Sequence, residues 1–190
     1  MGGFQLWANL PAAHKMMDPR YRDITRADVP VVERPDGVRI GVLCGQVDGT
    51  RGPVQDVVIE PEYLEVRLPP GGRFMHPTPA GHTVFAYLFE GRALFCDQDN
   101  PYAYEAQETA YFDLQRSPWV PSEHLVLLGD GDHLVVSTQG EAARFLLVSG
   151  RPLREPVAWY GPIVMNTQEQ LRIAFEEYQN GTFLKKGKGA

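Results

Sequence analysis

The chain has 190 residues, 43 % of them hydrophobic and 22 % charged, with a net charge of −6, which suits one substantial domain of ordinary composition. The acidic balance argues against direct nucleic-acid binding, which needs a basic face, and no apolar run approaches the about 18 residues needed to span a bilayer. Two cysteines, Cys44 and Cys96, make neither a disulfide framework nor a CxxC metal pattern; both lie in apolar runs and read as small buried hydrophobes of a reducing compartment. The first residues lack a basic n-region followed by an apolar h-region. The expected location is the cytoplasm, with the nucleus a further option in a eukaryote.

In chain order, Phe4–Leu10 alternates apolar residues at Phe4, Leu6, Ala8 and Leu10 and predicts a strand ended by Pro11. Residues 12–37 lack periodicity and read as a linker. From Val38 onward short apolar and β-branched runs predict an all-β region: Val38–Val47, Val54–Ile59, Tyr63–Leu68, Thr83–Phe89, Arg92–Cys96, Thr109–Leu114, His124–Leu128, His133–Thr138 and Arg144–Val148. Pro69-Pro70-Gly71-Gly72 and Glu90-Gly91 read as turns, and Gly129-Asp130-Gly131-Asp132 as a hairpin. The abundant Gly (19) and Pro (16) fit many strands joined tightly. A double-sheet jelly roll of the cupin kind fits this series.

The spacing then predicts one helix, from about Gln168 to Gln179. Thr167 and Gln170 form a capping box, and Leu171, Ala174, Phe175 and Tyr178 form an apolar stripe for packing against the barrel. Asn180-Gly181 supplies a left-handed stop. Lys185, Lys186 and Lys188 lie in a Gly-spaced tail, 182–190, read as solvated and disordered.

A mononuclear metal site in such a barrel needs three or four converging ligands, typically histidines and one carboxylate. The matching stretch reads His76-Pro77-Thr78-Pro79-Ala80-Gly81-His82-Thr83. Thr78 stands where a second His would be, and Thr83 where the carboxylate would be. No metal is expected, and the candidates for an unconventional site are His76, His82 and His124. Glu60, Glu62 and Glu65 read as a solvated strand face, and Phe85, Tyr87 and Phe89 as plain core. Neither a Gly-x-Ser-x-Gly elbow nor a P-loop is present.

Two blocks carry a family resemblance. One is Gln5-Leu6-Trp7-Ala8-Asn9-Leu10-Pro11 followed by Lys15-Met16 and Asp18-Pro19-Arg20-Tyr21. The other is Arg154-Glu155-Pro156-Val157, then Tyr160-Gly161-Pro162-Ile163-Val164-Met165-Asn166-Thr167 and the helix after it. Together they closely resemble the pirin family, whose members look like bicupins. The resemblance implies that residues 1–11 are the last strand of a missing N-terminal cupin barrel and 12–37 its linker. It makes 38–165 the C-terminal cupin barrel and 166–181 its closing helix. It also implies that the family's metal site, three His and one Glu usually holding iron, belongs to the N-terminal barrel.

The family's associated activities are quercetin 2,3-dioxygenation and iron-dependent transcriptional co-regulation. The expectation here is a structural or interaction module or co-regulator without a metal site. The alternative is a metal-dependent dioxygenase resembling quercetin 2,3-dioxygenase, using iron or another divalent metal. The expected partner is a second copy, or a separate N-terminal cupin chain, paired through Phe4–Leu10.

Overall fold

The computed structural model describes residues 3–102 and 117–185. The predicted strand Thr109–Leu114, and Lys186 and Lys188 of the tail, lie outside the described residues. The chain forms two compact units: Ile24–Pro152, and residues 1–23 together with 153–190.

The first unit is built from two antiparallel sheets. One has six strands: β1 (Val31–Glu33), β2 (Arg39–Cys44), β5 (Glu62–Leu68), β12 (Ala143–Gly150), β7 (Thr83–Glu90) and β10 (His124–Leu127), in that spatial order. The other has four: β6 (Arg73–Pro77), β11 (His133–Ser137), β8 (Arg92–Phe95) and β9 (Val120–Pro121). A small ribbon joins β3 (Gln46–Val47) to β4 (Thr50–Arg51). From β5 onward the chain crosses from sheet to sheet almost every strand, which is jelly-roll winding.

Period-2 alternation decides which residues go inside. On β2 these are Ile40 and Val42; on β5, Leu64, Val66 and Leu68; on β7, Val84, Ala86 and Leu88. Phe74, Phe95, Leu134 and Val136 of the smaller sheet join them in one buried apolar cluster. Phe145 of β12 stands edge-on to both Phe74 and Phe95, with ring centroids 5.8 and 5.9 Å apart, and so ties the two sheets together.

Several expectations need correction. Val54–Ile59 is no strand: only Val54 makes a bridge, to Cys44, and Asp56 and Glu60 take left-handed φ values of 57° and 47° that break a ladder. Gly129–Asp132 is no hairpin, because β10 pairs with β7 while β11 pairs with β6 and β8. It arches between sheets, and Asp130 accepts the Gly81 N–H at 2.8 Å. Phe85, Tyr87 and Phe89 lie on the half-buried outer face of β7, opposite in parity to its core residues. Cys44 is buried as expected, whereas Cys96, in a left-handed turn at φ 56°, is exposed. β6 and β1 have no counterpart among the predicted strands. β1 lies inside the expected linker 12–37, whose second half therefore belongs to the barrel unit.

The second unit holds the hairpin of β13 (Ala158–Tyr160) and β14 (Ile163–Met165) and the helix α1 (Gln168–Gln179). The hairpin lies within the expected 38–165 span, while the compact barrel unit runs Ile24–Pro152. Both halves of the Thr167–Gln170 capping box form. The Gly181 N–H donates to Tyr178 and the Thr182 N–H to Glu177, with Gly181 at φ 70°, as a glycine stop requires. Leu171 and Ala174 bury against Ala158, Ile163 and Met165. The helix stripe therefore covers its own hairpin, and Tyr178 at its far end stays exposed.

Residues Phe4–Leu10 are irregular rather than a strand. The segment belongs to none of the sheet ladders formed by the described residues. Glu155 accepts hydrogen bonds from the Ala12 N–H at 2.8 Å and from Asn166 Nδ2 at 2.9 Å, tying the early segment to the late one. No helix among the described residues is long and apolar enough to cross a membrane.

Candidate functional site

Among the described residues, the inward face of the barrel carries one polar pair, His76 and Glu62. On β6 the alternation buries Phe74 and His76 and exposes Arg73, Met75 and Pro77. On β5, Glu62 shares the parity of Leu64, Val66 and Leu68, so it too turns inward. The two meet across the sandwich: the Glu62 carboxylate accepts from His76 Nε2 at 2.8 Å. The His76 ring stacks on Phe74, with centroids 5.7 Å apart and planes 11° apart. Gly45, at φ 97°, lets Glu62 lie against the backbone, since a Cβ there would meet Glu62 Cγ at 3.1 Å.

Two polar atoms at this end have no hydrogen-bond partner among the described residues. His76 Nδ1 is buried and unpartnered, on a residue only 3 % exposed. Ser149 Oγ is also buried and unpartnered, and Ser149 lies directly opposite Glu62 in the β5–β12 register, on the same inner face. Buried polar atoms without partners are uncommon and costly.

Beside the pair, Arg34 donates to Asp48 from Nε at 2.9 Å and Nη2 at 3.3 Å, and to the Met75 carbonyl at 3.1 Å. Its guanidinium sits 5.6 Å from the centre of the Phe74 ring. These hydrogen bonds, with the charges of Arg34 and His76 adding, hold the Asp48 carboxyl below the usual carboxylate range.

The three histidine candidates are not brought together. His82 lies in the turn before β7, with Nδ1 buried and unpartnered. His124 opens β10 in an exposed position, with Nδ1 at 2.9 Å from the Ser122 carbonyl oxygen. Among the described residues no three His, Cys, Asp or Glu side chains converge as a metal group would need. Thr78 is buried but contributes a hydroxyl, and Thr83 is exposed. At the His76–Glu62 pair a metal would meet two donors already engaged with each other, which does not fit the ligand set of a mononuclear centre.

The reading of Glu62 as solvated is thus a correction. Glu60 and Glu65 do face outward, pairing with Arg151 at 3.0 Å and Arg144 at 2.5 Å, but Glu62 is a site residue. Its parity with Leu64, Val66 and Leu68 is the signal that identifies it.

The crossing of one chain between two antiparallel sheets, with a polar pair at one end of a filled interior, defines a cupin-type jelly roll. A solved structure of quercetin 2,3-dioxygenase from Acinetobacter baumannii shares this fold, with a TM-score of 0.75 at 24 % identity over 93 % of this chain and 55 % of that one. Residues 63–184 match the family described as the pirin C-terminal cupin domain. The chain is 36 % identical to a pirin-like protein of Caulobacter vibrioides over 184 residues, 96 % of this chain and 59 % of that protein. It is 32 % identical to Pirin of Homo sapiens over 179 residues, 94 % of this chain and 56 % of that protein. The chain belongs to the pirin family, as the two signature blocks implied. It spans between 55 % and 59 % of the length of the first curated relatives it matches.

Proposed function

We propose that this chain works as the C-terminal cupin half of a pirin-like protein: a structural and interaction module, or co-regulator, without metal chemistry of its own. The observation that supports this is the inner face of the barrel. Among the described residues it is filled by one apolar cluster and offers a metal the mutually bonded His76 and Glu62, with no third His, Cys, Asp or Glu beside them. We assign the segment Phe4–Leu10 to association with a second copy or with a separate N-terminal cupin chain, on the strength of its exposed Phe4, Leu6 and Trp7. A cytoplasmic location, with no direct nucleic-acid partner, suits the net charge of −6.

Native mass spectrometry of the purified, dialysed chain tests both parts. The expected species is a dimer without stoichiometric metal. One iron or nickel per chain would overturn the metal-free reading, and a monomer at micromolar concentration would overturn self-association.

A second reading, a metal-dependent dioxygenase resembling quercetin 2,3-dioxygenase, draws on the lone buried His76 Nδ1. If it holds, the iron-loaded chain consumes quercetin, and His76→Gln, which keeps a donor for Glu62, abolishes that consumption. Unchanged turnover in the variant, or none in the native chain, disposes of it.

A further inference from the structure

A line of charges crosses the outer face of the six-stranded sheet. The register sets Glu33 opposite Arg39, Arg39 opposite Arg67, Arg67 opposite Arg144, and Arg144 opposite Glu90. Five adjacent strands therefore carry Glu-Arg-Arg-Arg-Glu in one row. The outer arginines are neutralised. Arg39 pairs with Glu33 at 2.8 Å, and Arg144 pairs with Glu90 at 2.9 Å and Glu65 at 2.5 Å.

The central arginine is different. Among the described residues no carboxylate pairs with Arg67. Like charges directly opposite one another on a sheet are destabilising. The unneutralised cation of Arg67 between two others is therefore unfavourable for folding alone.

The row borders a cavity of about 500 Å³, within the size range of small-molecule sites. Arg26, Arg39, Arg67 and Arg144 line it against the single carboxylate of Glu65, on a chain whose net charge is −6. The rest of the lining includes Val31, Leu43 and Tyr63. Gly41, between Arg39 and Leu43 on the outer face of β2, adds no side chain to the floor, where a Cβ would already touch Glu65 Cβ at 3.6 Å and Val29 Cγ1 at 3.7 Å.

We propose that this cavity binds a small organic anion with an apolar body, its anionic head on Arg67 and its body against Val31, Leu43 and Tyr63. A bare inorganic anion leaves the apolar wall unused, and a neutral apolar molecule leaves Arg67 unanswered.

Isothermal titration calorimetry on the whole chain tests this with 2-naphthoate, its neutral counterpart 2-naphthamide, and inorganic sulfate. Naphthoate should bind saturably, one per chain, with the amide and sulfate weaker by roughly tenfold or more. Arg67→Gln should weaken naphthoate by roughly tenfold or more while melting no lower than the native chain, since it relieves repulsion. Gly41→Val, which fills the floor, should weaken naphthoate as well. Arg92→Gln, on β8 of the other sheet, should leave binding unchanged. Absence of saturable naphthoate binding up to millimolar concentration, equal affinity for the amide, or an unchanged Arg67→Gln would each overturn the proposal.

Discussion

Adding one methyl group at Gly91 should lower barrel stability by more than about 3 kcal/mol, read as a fall in the urea midpoint of Gly91→Ala. Gly91 forms the corner at which the chain leaves β7 in the six-stranded sheet and enters β8 in the four-stranded one. Its φ of 75° lies in the left-handed region, where alanine is already strained. Steric overlap adds more than this backbone strain. A Cβ at this position would collide with the Ala142 carbonyl oxygen and stand 3.0 Å from its carbon. Both are backbone atoms just before β12, so neither can swing aside as a side-chain tip would. Gly131→Ala is the matched control: nothing lies within 4 Å of its added Cβ and its φ is not positive. It should change stability by less than about 0.5 kcal/mol. Equal stability of the two variants would show that the corner relaxes freely.

Phe145→Ala should cost about 3–5 kcal/mol in the same assay. The side chain is fully buried, and its ring is the contact from β12 to both Phe74 on β6 and Phe95 on β8. Truncation removes the burial of a phenyl group, leaves a void between the sheets, and loses two edge-to-face contacts. Phe85→Ala, on the half-buried outer face of β7, should cost clearly less. Similar losses at the two positions would mean that the interface between the sheets is not where the unit's stability is concentrated.

What can be read from the sequence follows from how local each determinant is. The helix Gln168–Gln179 is legible because its cap, stripe and stop all lie within sixteen consecutive residues, Asn166–Gly181. The strands β5, β7, β11 and β12 are legible from apolar runs. The position of Glu62 is within reach, since strand parity alone puts it with Leu64, Val66 and Leu68. Its neighbours Glu60 and Glu65, which do face solvent, obscure it. His76 is legible as a candidate, but its strand β6 is not, because Pro77 and the preceding glycines read as a break.

Other features depend on pairing between distant segments. Gly129–Asp132 has the chemistry of a hairpin, yet the same residues serve an arch, and only the partners of β10 and β11 decide between them. Asp56 and Glu60 adopt left-handed backbone that no propensity announces. The alignment of Arg39, Arg67 and Arg144 exists only once three distant strands are in register. Cys96 sits at the end of an apolar run, and its exposure follows from the turn it occupies.

The bond from Ala12 to Glu155 bears on how the chain comes to be folded during synthesis. The barrel is one uninterrupted stretch, Ile24–Pro152, whereas the other unit combines residues from before it and after it. A ribosome therefore delivers every strand of the barrel before it makes Glu155, the hairpin or the helix. The barrel can close on its own schedule. The early segment, made before the barrel, gains its acceptor only after it, so the unit carrying both family signatures is completed later than the barrel.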